Sequence, residues 1–135
     1  MTEDAAAGLD LFLRAVLDKK AIRVVALDVR ELTSFADVFI ICSGRSNRQV
    51  SAIAEHIERQ MRSHKIKPLS VEGSQEGQWV LMDYGHVIIH VFFESVREFY
   101  DLEGLWRDAR RIPVSVPSKA KAAAGRKTRR PSQED

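Results

Sequence analysis

Much of what equips a protein for catalysis, export or life in a membrane is missing from this sequence. There is one cysteine in 135 residues, Cys42, which excludes an intrachain disulfide and a multi-cysteine zinc site. The longest uncharged apolar run, Val38 to Cys42, is far too short to cross a bilayer, so no membrane association is expected. The opening MTEDAAAGLD is acidic and has neither the basic and apolar regions of a secretory signal nor the arginines of a transit peptide. A cytoplasmic location is the simplest reading.

Paired carboxylates are scarce as well. The single Asp-x-Glu triplet, Asp101-Leu102-Glu103, falls in a helical pattern. There, residues two apart point roughly 200° from one another and cannot share a metal ion. His86 and His90 lie on a strand, where four residues span roughly 13 Å, too far to chelate one ion. Cys42 ends a buried-looking strand, and small buried cysteines are commonplace; a nucleophile there needs solvent and an activating histidine. Gly44-Arg45-Ser46 precedes a helix, but one glycine makes an N-capped turn rather than a phosphate cradle. The expectation is a protein without catalytic residues, metal or cofactor.

What is present is an ordinary globular composition, 44% hydrophobic and 30% charged, long enough for one domain. The net charge of +2 hides a polarity. From Ser118 to Asp135, six basic residues (Lys119, Lys121, Arg126, Lys127, Arg129 and Arg130) face two acids, a net of +4. The other 117 residues hold 15 basic and 17 acidic groups, a net of −2. Glu72 to Asp108 is more acidic still, with eight acids against Arg97 and Arg107. An acidic body suits a basic protein partner better than a phosphate backbone. The tail has no apolar residue larger than alanine and is expected to be disordered. It is either a solvated extension or a non-specific RNA-binding arm. The expected organisation is a flexible stretch over 1–8, one domain over 9–114, and the basic tail over 115–135.

Apolar residues at 9, 12, 13, 16 and 17 predict an amphipathic helix ending near Lys20. Arg23 to Val29 and Asp37 to Ser43 read as strands, the second apolar on both faces and therefore central. Ser46 is the expected N-cap of a helix with Val50, Ile53, Ile57 and Met61 on its buried stripe. Pro68 to Val71 suits an edge strand. Gln78–Asp83 and His86–Phe93 form a predicted hairpin turning at Tyr84-Gly85, followed by one helix from about Ser95 to Arg110, with Phe99, Leu102, Leu105 and Trp106 as its buried stripe.

The segment Gly77 to Trp106 carries both tryptophans, both tyrosines and two of the four histidines. On its second strand Val87, Ile89, Val91 and Phe93 share a wholly apolar, core face; His86, Ile88, His90 and Phe92 form a mixed one, typical of a surface that something covers. An even loop pairs Trp79 with His90, Leu81 with Ile88 and Asp83 with His86, on an exposed platform. A three-residue loop with Gly85 in a bulge instead turns Trp79 to the core. The even register is favoured. The candidate partner-binding residues are then Trp79, Leu81, Asp83, Tyr84, His86, His90, Phe92 and, on the flank of the following helix, Tyr100.

An ordered series of residues carries a family resemblance. It runs through Asp18-Lys19-Lys20-Ala21, Leu27-Asp28-Val29, Ala36–Ile41, Ser43–Ser46, Gln49-Val50, Ala52–Ala54, Glu72-Gly73 and Trp79–Gly85. It continues through Val87–Phe92, Arg97–Glu103 and Leu105-Trp106. Over about residues 9 to 112 the chain resembles the ribosomal silencing factor (Iojap) family. The resemblance implies a single α/β domain with a mixed sheet flanked by helices, similar in fold to nucleotidyltransferases but not known for that activity. It implies a partner, the large ribosomal subunit through its ribosomal protein fourteen, with joining of the small subunit blocked and translation lowered when nutrients run short. It also implies a homodimer in the free state, and partner contacts at Trp79, Asp83, Tyr84 and His90. Two positions depart from the family pattern. His86 stands where an acid is usual, and Gly104 replaces a larger helix residue at a cost of up to about 1 kcal/mol in propensity. The alternatives are a nucleotidyltransferase-like enzyme, or an RNA-binding ribosome-assembly factor acting through the tail.

Overall fold

A computed structural model describes residues 3–114. The expectations for the tail lie outside these residues. Helix α1 (Glu3–Asp18) leads into strand β1 (Ile22–Asp28), strand β2 (Val38–Gly44) and helix α2 (Asn47–Ser63). Strands β3 (Ser70–Glu72), β4 (Trp79–Asp83) and β5 (Val87–Phe93) follow, then the short helices α3 (Glu94–Tyr100) and α4 (Leu102–Leu105) and strand β6 (Arg110–Ile112). The sheet order is β3-β4-β5-β2-β1-β6. Strands β2 and β5 pair in parallel and the other neighbours antiparallel, so the sheet is mixed, as expected.

Local chemistry explains most of these elements. All seven residues of β2 are buried, which is why its sequence is apolar on both faces: it lies inside the sheet with a layer on each side. Proline precedes β3, which sits on the edge, where a missing donor costs nothing. Ser46 caps α2 by accepting from the Gln49 N–H at 3.1 Å, and Val50, Ile53, Ile57 and Met61 are all buried. Helix α1 begins at Glu3, ahead of the apolar stripe that starts at Leu9.

Two cores form, one on each sheet face. The larger holds Phe12, Leu13 and Val16 of α1, the α2 stripe, and Val87, Ile89 and Val91 of β5. The smaller holds Leu27, Phe39, Ile41, Ile88 and Phe92, with Trp79, Leu81, Leu102, Trp106 and Ala109 packed against it. The mixed hairpin face is therefore not an open platform. Chain leaving β5 must cross that face to reach the far side of β1, where β6 pairs with Ala26, Leu27 and Asp28. In crossing, it lays Val96, Leu102 and Trp106 over the sheet.

This crossing also corrects the expectation of one long helix. Asp101 adopts the left-handed conformation (φ 48°, ψ 54°), ending α3 and capping α4 by accepting from the Gly104 N–H at 3.1 Å. The helical stripe is split by the break. Leu102 and Trp106 point inward, whereas Phe99 and Leu105 are 80% and 75% exposed. Gly104 gains a structural reason. A Cβ there would collide with the Asp101 carboxylate, its Cγ lying 2.8 Å away.

Candidate functional site

The hairpin closes two residues out of the expected register with its parity preserved. Trp79 pairs with Phe92, Leu81 with His90 and Asp83 with Ile88. The Tyr84 N–H donates to the Val87 carbonyl at 2.9 Å, and the turn residues are Gly85, at φ 90°, and His86. Asp83 fixes this turn by accepting from the Gly85 N–H at 2.8 Å. Because the loop remains even, Trp79, Leu81, Asp83, Ile88, His90 and Phe92 share a face. The exposed three-dimensional neighbourhood differs from the expectation at several of them.

Tyr84 is 7% exposed and faces the larger core, its ring 4.8 Å from Phe12 in an edge-to-face contact. Its role as an exposed anchor is corrected: moving the turn by one residue puts it on the α1 side. Burial pushes its phenol up to about 12, with Glu58 adding to the rise. His86 also leaves the platform; it sits in the turn, exposed, 6.3 Å from Phe12. His90 and Phe92 stay on the face but are buried beneath the crossing segment. Trp79, Leu81 and Asp83 are half-buried, and Tyr100 is exposed.

What the face presents is a continuous aromatic network. The Trp79 Nε1–H donates to His90 Nδ1 at 3.2 Å, and the indole lies 4.9 Å from the Phe92 ring and 5.0 Å from Tyr100. Tyr100 meets Phe99 at 5.1 Å. On the other side of His90, Phe39 is 5.3 Å away and perpendicular to Trp106 at 5.0 Å. Phe35, 60% exposed, extends the network outward, its ring centroid 6.5 Å from Trp106. Such edge-to-face and offset pairs add roughly 0.5–1.5 kcal/mol each beyond area burial. Floor residues (Phe39, His90, Phe92) are thus rigidly packed, and rim residues (Phe35, Phe99, Tyr100, Leu105) expose apolar surface to solvent.

Electrostatics sharpen the picture. Burial lowers the His90 imidazole to about 4, so it is neutral at pH 7. With Nδ1 accepting from Trp79, the proton resides on Nε2, which is buried without a hydrogen-bond partner. At the ends of β2 and β5, Arg97 is 1% exposed. It donates from Nε to Glu103 at 2.9 Å and from Nη1 to Ser43 at 2.8 Å. This clamp holds α3 and α4 to the sheet. The Arg97 hydrogen bond keeps the Glu103 carboxyl below its usual range. Burial alone would raise Glu94, but the Arg23 guanidinium at 2.8 Å holds it low.

The groups that the sequence offers for chemistry are placed as follows. Cys42 is fully buried and its thiol is pushed up to about 12 by desolvation, which removes the thiolate. The Arg45 N–H donates to Gln49 Oε1 at 2.6 Å, so the turn before α2 uses its donors internally. Among the described residues, no group of three or more His, Cys, Asp or Glu side chains is placed to hold a metal ion. None of the described helices is long and apolar enough to cross a membrane. Sequence reasoning missed Phe35, Phe99 and Leu105 as exposed apolar residues, and Arg97 as a buried cation. The Asp101-x-x-Gly104 spacing was the available signal for the helix break that exposes two of them.

Fold and face together define a small α/β domain with a mixed sheet, covered by α1 and α2 on one face and by the crossing segment with its aromatic network on the other. Comparison with known proteins places it further. The chain belongs to the ribosomal silencing factor family: the family model described as "Ribosomal silencing factor during starvation" matches residues 2–135. It is 44% identical over 101 residues to the ribosomal silencing factor RsfS of Halalkalibacterium halodurans, covering 75% of this chain and 86% of that protein. It is 45% identical over 92 residues to RsfS of Bacillus subtilis, covering 68% and 78%. The crystal structure of a Chromobacterium violaceum protein superposes with a TM-score of 0.72 at 35% identity, covering 78% of this chain and 87% of that one.

Proposed function

We propose that this protein docks its aromatic face on the large ribosomal subunit, at ribosomal protein fourteen, and there blocks joining of the small subunit. Translation is thereby repressed when nutrients are limiting. The action is steric and non-enzymatic: the bound domain fills space that the small subunit needs. The protein acts in the cytoplasm and forms a homodimer when free.

The observation that carries this reading is the Trp79–Tyr100–Phe99 ridge, half-buried at one end and 80% exposed at the other. Large aromatic side chains on a rigid floor supply contact area at little entropic cost. The ridge lies in the most acidic part of the sequence, Glu72 to Asp108, which favours a basic ribosomal surface. Trp79, Leu81, Asp83 and Tyr100 remain contact residues in this proposal. His90 and Phe92 support the face from beneath, Tyr84 lies in the core on the opposite side of the sheet, and His86 stands outside the face. Phe35, Phe99 and Leu105 join the rim.

The alternative of a nucleotidyltransferase-type enzyme finds no support in the carboxylates, since Asp101 caps a helix and Glu103 pairs with Arg97. Sedimentation with separated ribosomal subunits tests the proposal. The protein is expected to travel with large and not small subunits, and equal distribution between the two would contradict it.

A further inference from the structure

The acidic average of the domain conceals one corner of opposite sign. Ile22 at the start of β1 pairs with Ser43 near the end of β2, so the α1–β1 and β2–α2 turns lie side by side. The Gln49 side chain joins them: its Nε2–H donates to the Lys20 carbonyl at 3.3 Å, and its Oε1 accepts from the Arg45 N–H at 2.6 Å. Lys19 and Lys20 on one turn, Arg45 on the other and Arg48 in the first turn of α2 are all exposed. Among the described residues, none of these four cations forms an ion pair with a carboxylate. The acid next to them in the chain, Asp18, accepts from His56 Nε2 at 3.1 Å. Arg45 and Arg48 also stand at the positive end of the α2 dipole, whose first turn holds no acid, and cations are unfavourable there. A face kept only for solubility gains nothing from that repulsion, whereas a bound polyanion relieves it.

We propose that Lys19, Lys20, Arg45 and Arg48 form a contact for the phosphate backbone of ribosomal RNA, beside the protein contact made by the aromatic face. The inference rests on the ribosome-docking reading above. The Arg45 N–H is taken by Gln49 and the Gln49 N–H by Ser46, so the grip comes from the four side chains rather than from backbone donors. Cations spread over two turns and a helix suit a repeating phosphate chain better than a single anion, and they read no base sequence. Position favours a shared partner. The loop from Gly73 to Gly77 packs against the start of α2: Ser51 Oγ donates to the Ser74 carbonyl at 3.1 Å, and a Cβ on Gly77 would meet the Asn47 carbonyl oxygen at 2.8 Å. That loop carries one acid, Glu76, and leads directly into β4 at Trp79. The cationic corner and the Trp79 end of the aromatic ridge therefore adjoin, and one ribosomal surface of protein and RNA can meet both.

The test measures binding of the full chain to purified large ribosomal subunits across a salt series, with isolated ribosomal protein fourteen as a second probe. One variant combines Lys19→Gln, Lys20→Gln, Arg45→Gln and Arg48→Gln. A charge-matched control combines Arg59→Gln, Arg62→Gln, Lys65→Gln and Lys67→Gln, exposed cations at the other end of α2. The corner variant is expected to lose about tenfold or more in affinity for subunits, and its slope of log affinity against log salt to shrink by about 3. The control is expected to stay within about threefold of wild type, and both to bind isolated ribosomal protein fourteen as wild type does. A corner variant with the affinity and slope of wild type, or one that loses no more than the control, overturns the inference and leaves the docking reading standing. An equal loss toward isolated ribosomal protein fourteen also overturns it, because the corner then touches protein instead of RNA. Wild type that binds neither probe overturns the docking reading and the inference together. Should the fourfold variant not fold by circular dichroism, Arg45→Gln with Arg48→Gln decides: about half the slope change supports the contact, and an unchanged slope refutes it.

Discussion

Acid should unfold this protein earlier than its carboxylates alone require, and His90 is the reason. Its folded-state pKa of about 4 lies well below the unperturbed value of 6.5, because burial penalises the imidazolium. The unfolded chain therefore binds a proton in a range where the native state refuses it. Stability attributable to His90 is intact above pH ~6.5 and is lost as pH falls toward about 4. The loss grows from about 1 kcal/mol at pH ~5.5 to about 3 kcal/mol as pH approaches the folded-state value of about 4. Against a typical total of ~5–15 kcal/mol this is a large fraction. Urea denaturation across that pH range measures it, with His90→Phe as the reference that carries no titrating group at the site. The difference between the two proteins isolates the imidazole from carboxylates held low by arginines, such as Glu94 and Glu103, which respond at more acid pH. If the two stability curves stay parallel from pH ~7.5 to ~4.5, the burial of His90 described above is wrong.

Further expectations concern the crossing segment and the tail. Replacing Arg97 by Met should cost about 2–4 kcal/mol in denaturant unfolding, because it strips the partners from Ser43 and a largely buried Glu103; a loss under about 1 kcal/mol would mean the clamp contributes little. Gly104→Ala should bring no gain in melting temperature, since displacing the Asp101 cap costs about 1 kcal/mol and offsets the better helix propensity; a clear rise would show the cap to be idle. Deleting Ser118–Asp135 should weaken association with large subunits only modestly and reduce its salt dependence. Complete loss of association would transfer the binding role to the tail.

Local patterns in the sequence announced most of the sheet. The all-apolar Val38–Cys42 run marked a central strand, Pro68 an edge, and Ser46 a helix start, because each reports a short-range or one-residue constraint. The hairpin parity was legible for the same reason: alternation fixes faces even when the register is off by two. What stayed hidden depends on long-range closure. Nothing in Arg110-Arg111-Ile112 marks it as a strand until β1 is in place to receive it. Without β6 there is no reason for the chain to cross the sheet, and without the crossing the face of His90 and Phe92 looks exposed. The helical periodicity of Phe99, Leu102, Leu105 and Trp106 runs unbroken through Asp101, whose left-handed conformation no pattern of apolar residues reveals. Tyr84 changed sides for a smaller cause, a turn centred on Gly85-His86 rather than Tyr84-Gly85.

Subunit joining, followed by light scattering as purified small and large subunits are mixed, tests the central claim most directly. Wild-type protein preincubated with large subunits should lower the fraction joined, and Trp79→Ala combined with Tyr100→Ala should restore it while the domain remains folded by circular dichroism. If the double variant blocks joining as strongly as wild type, the aromatic face is not the docking surface.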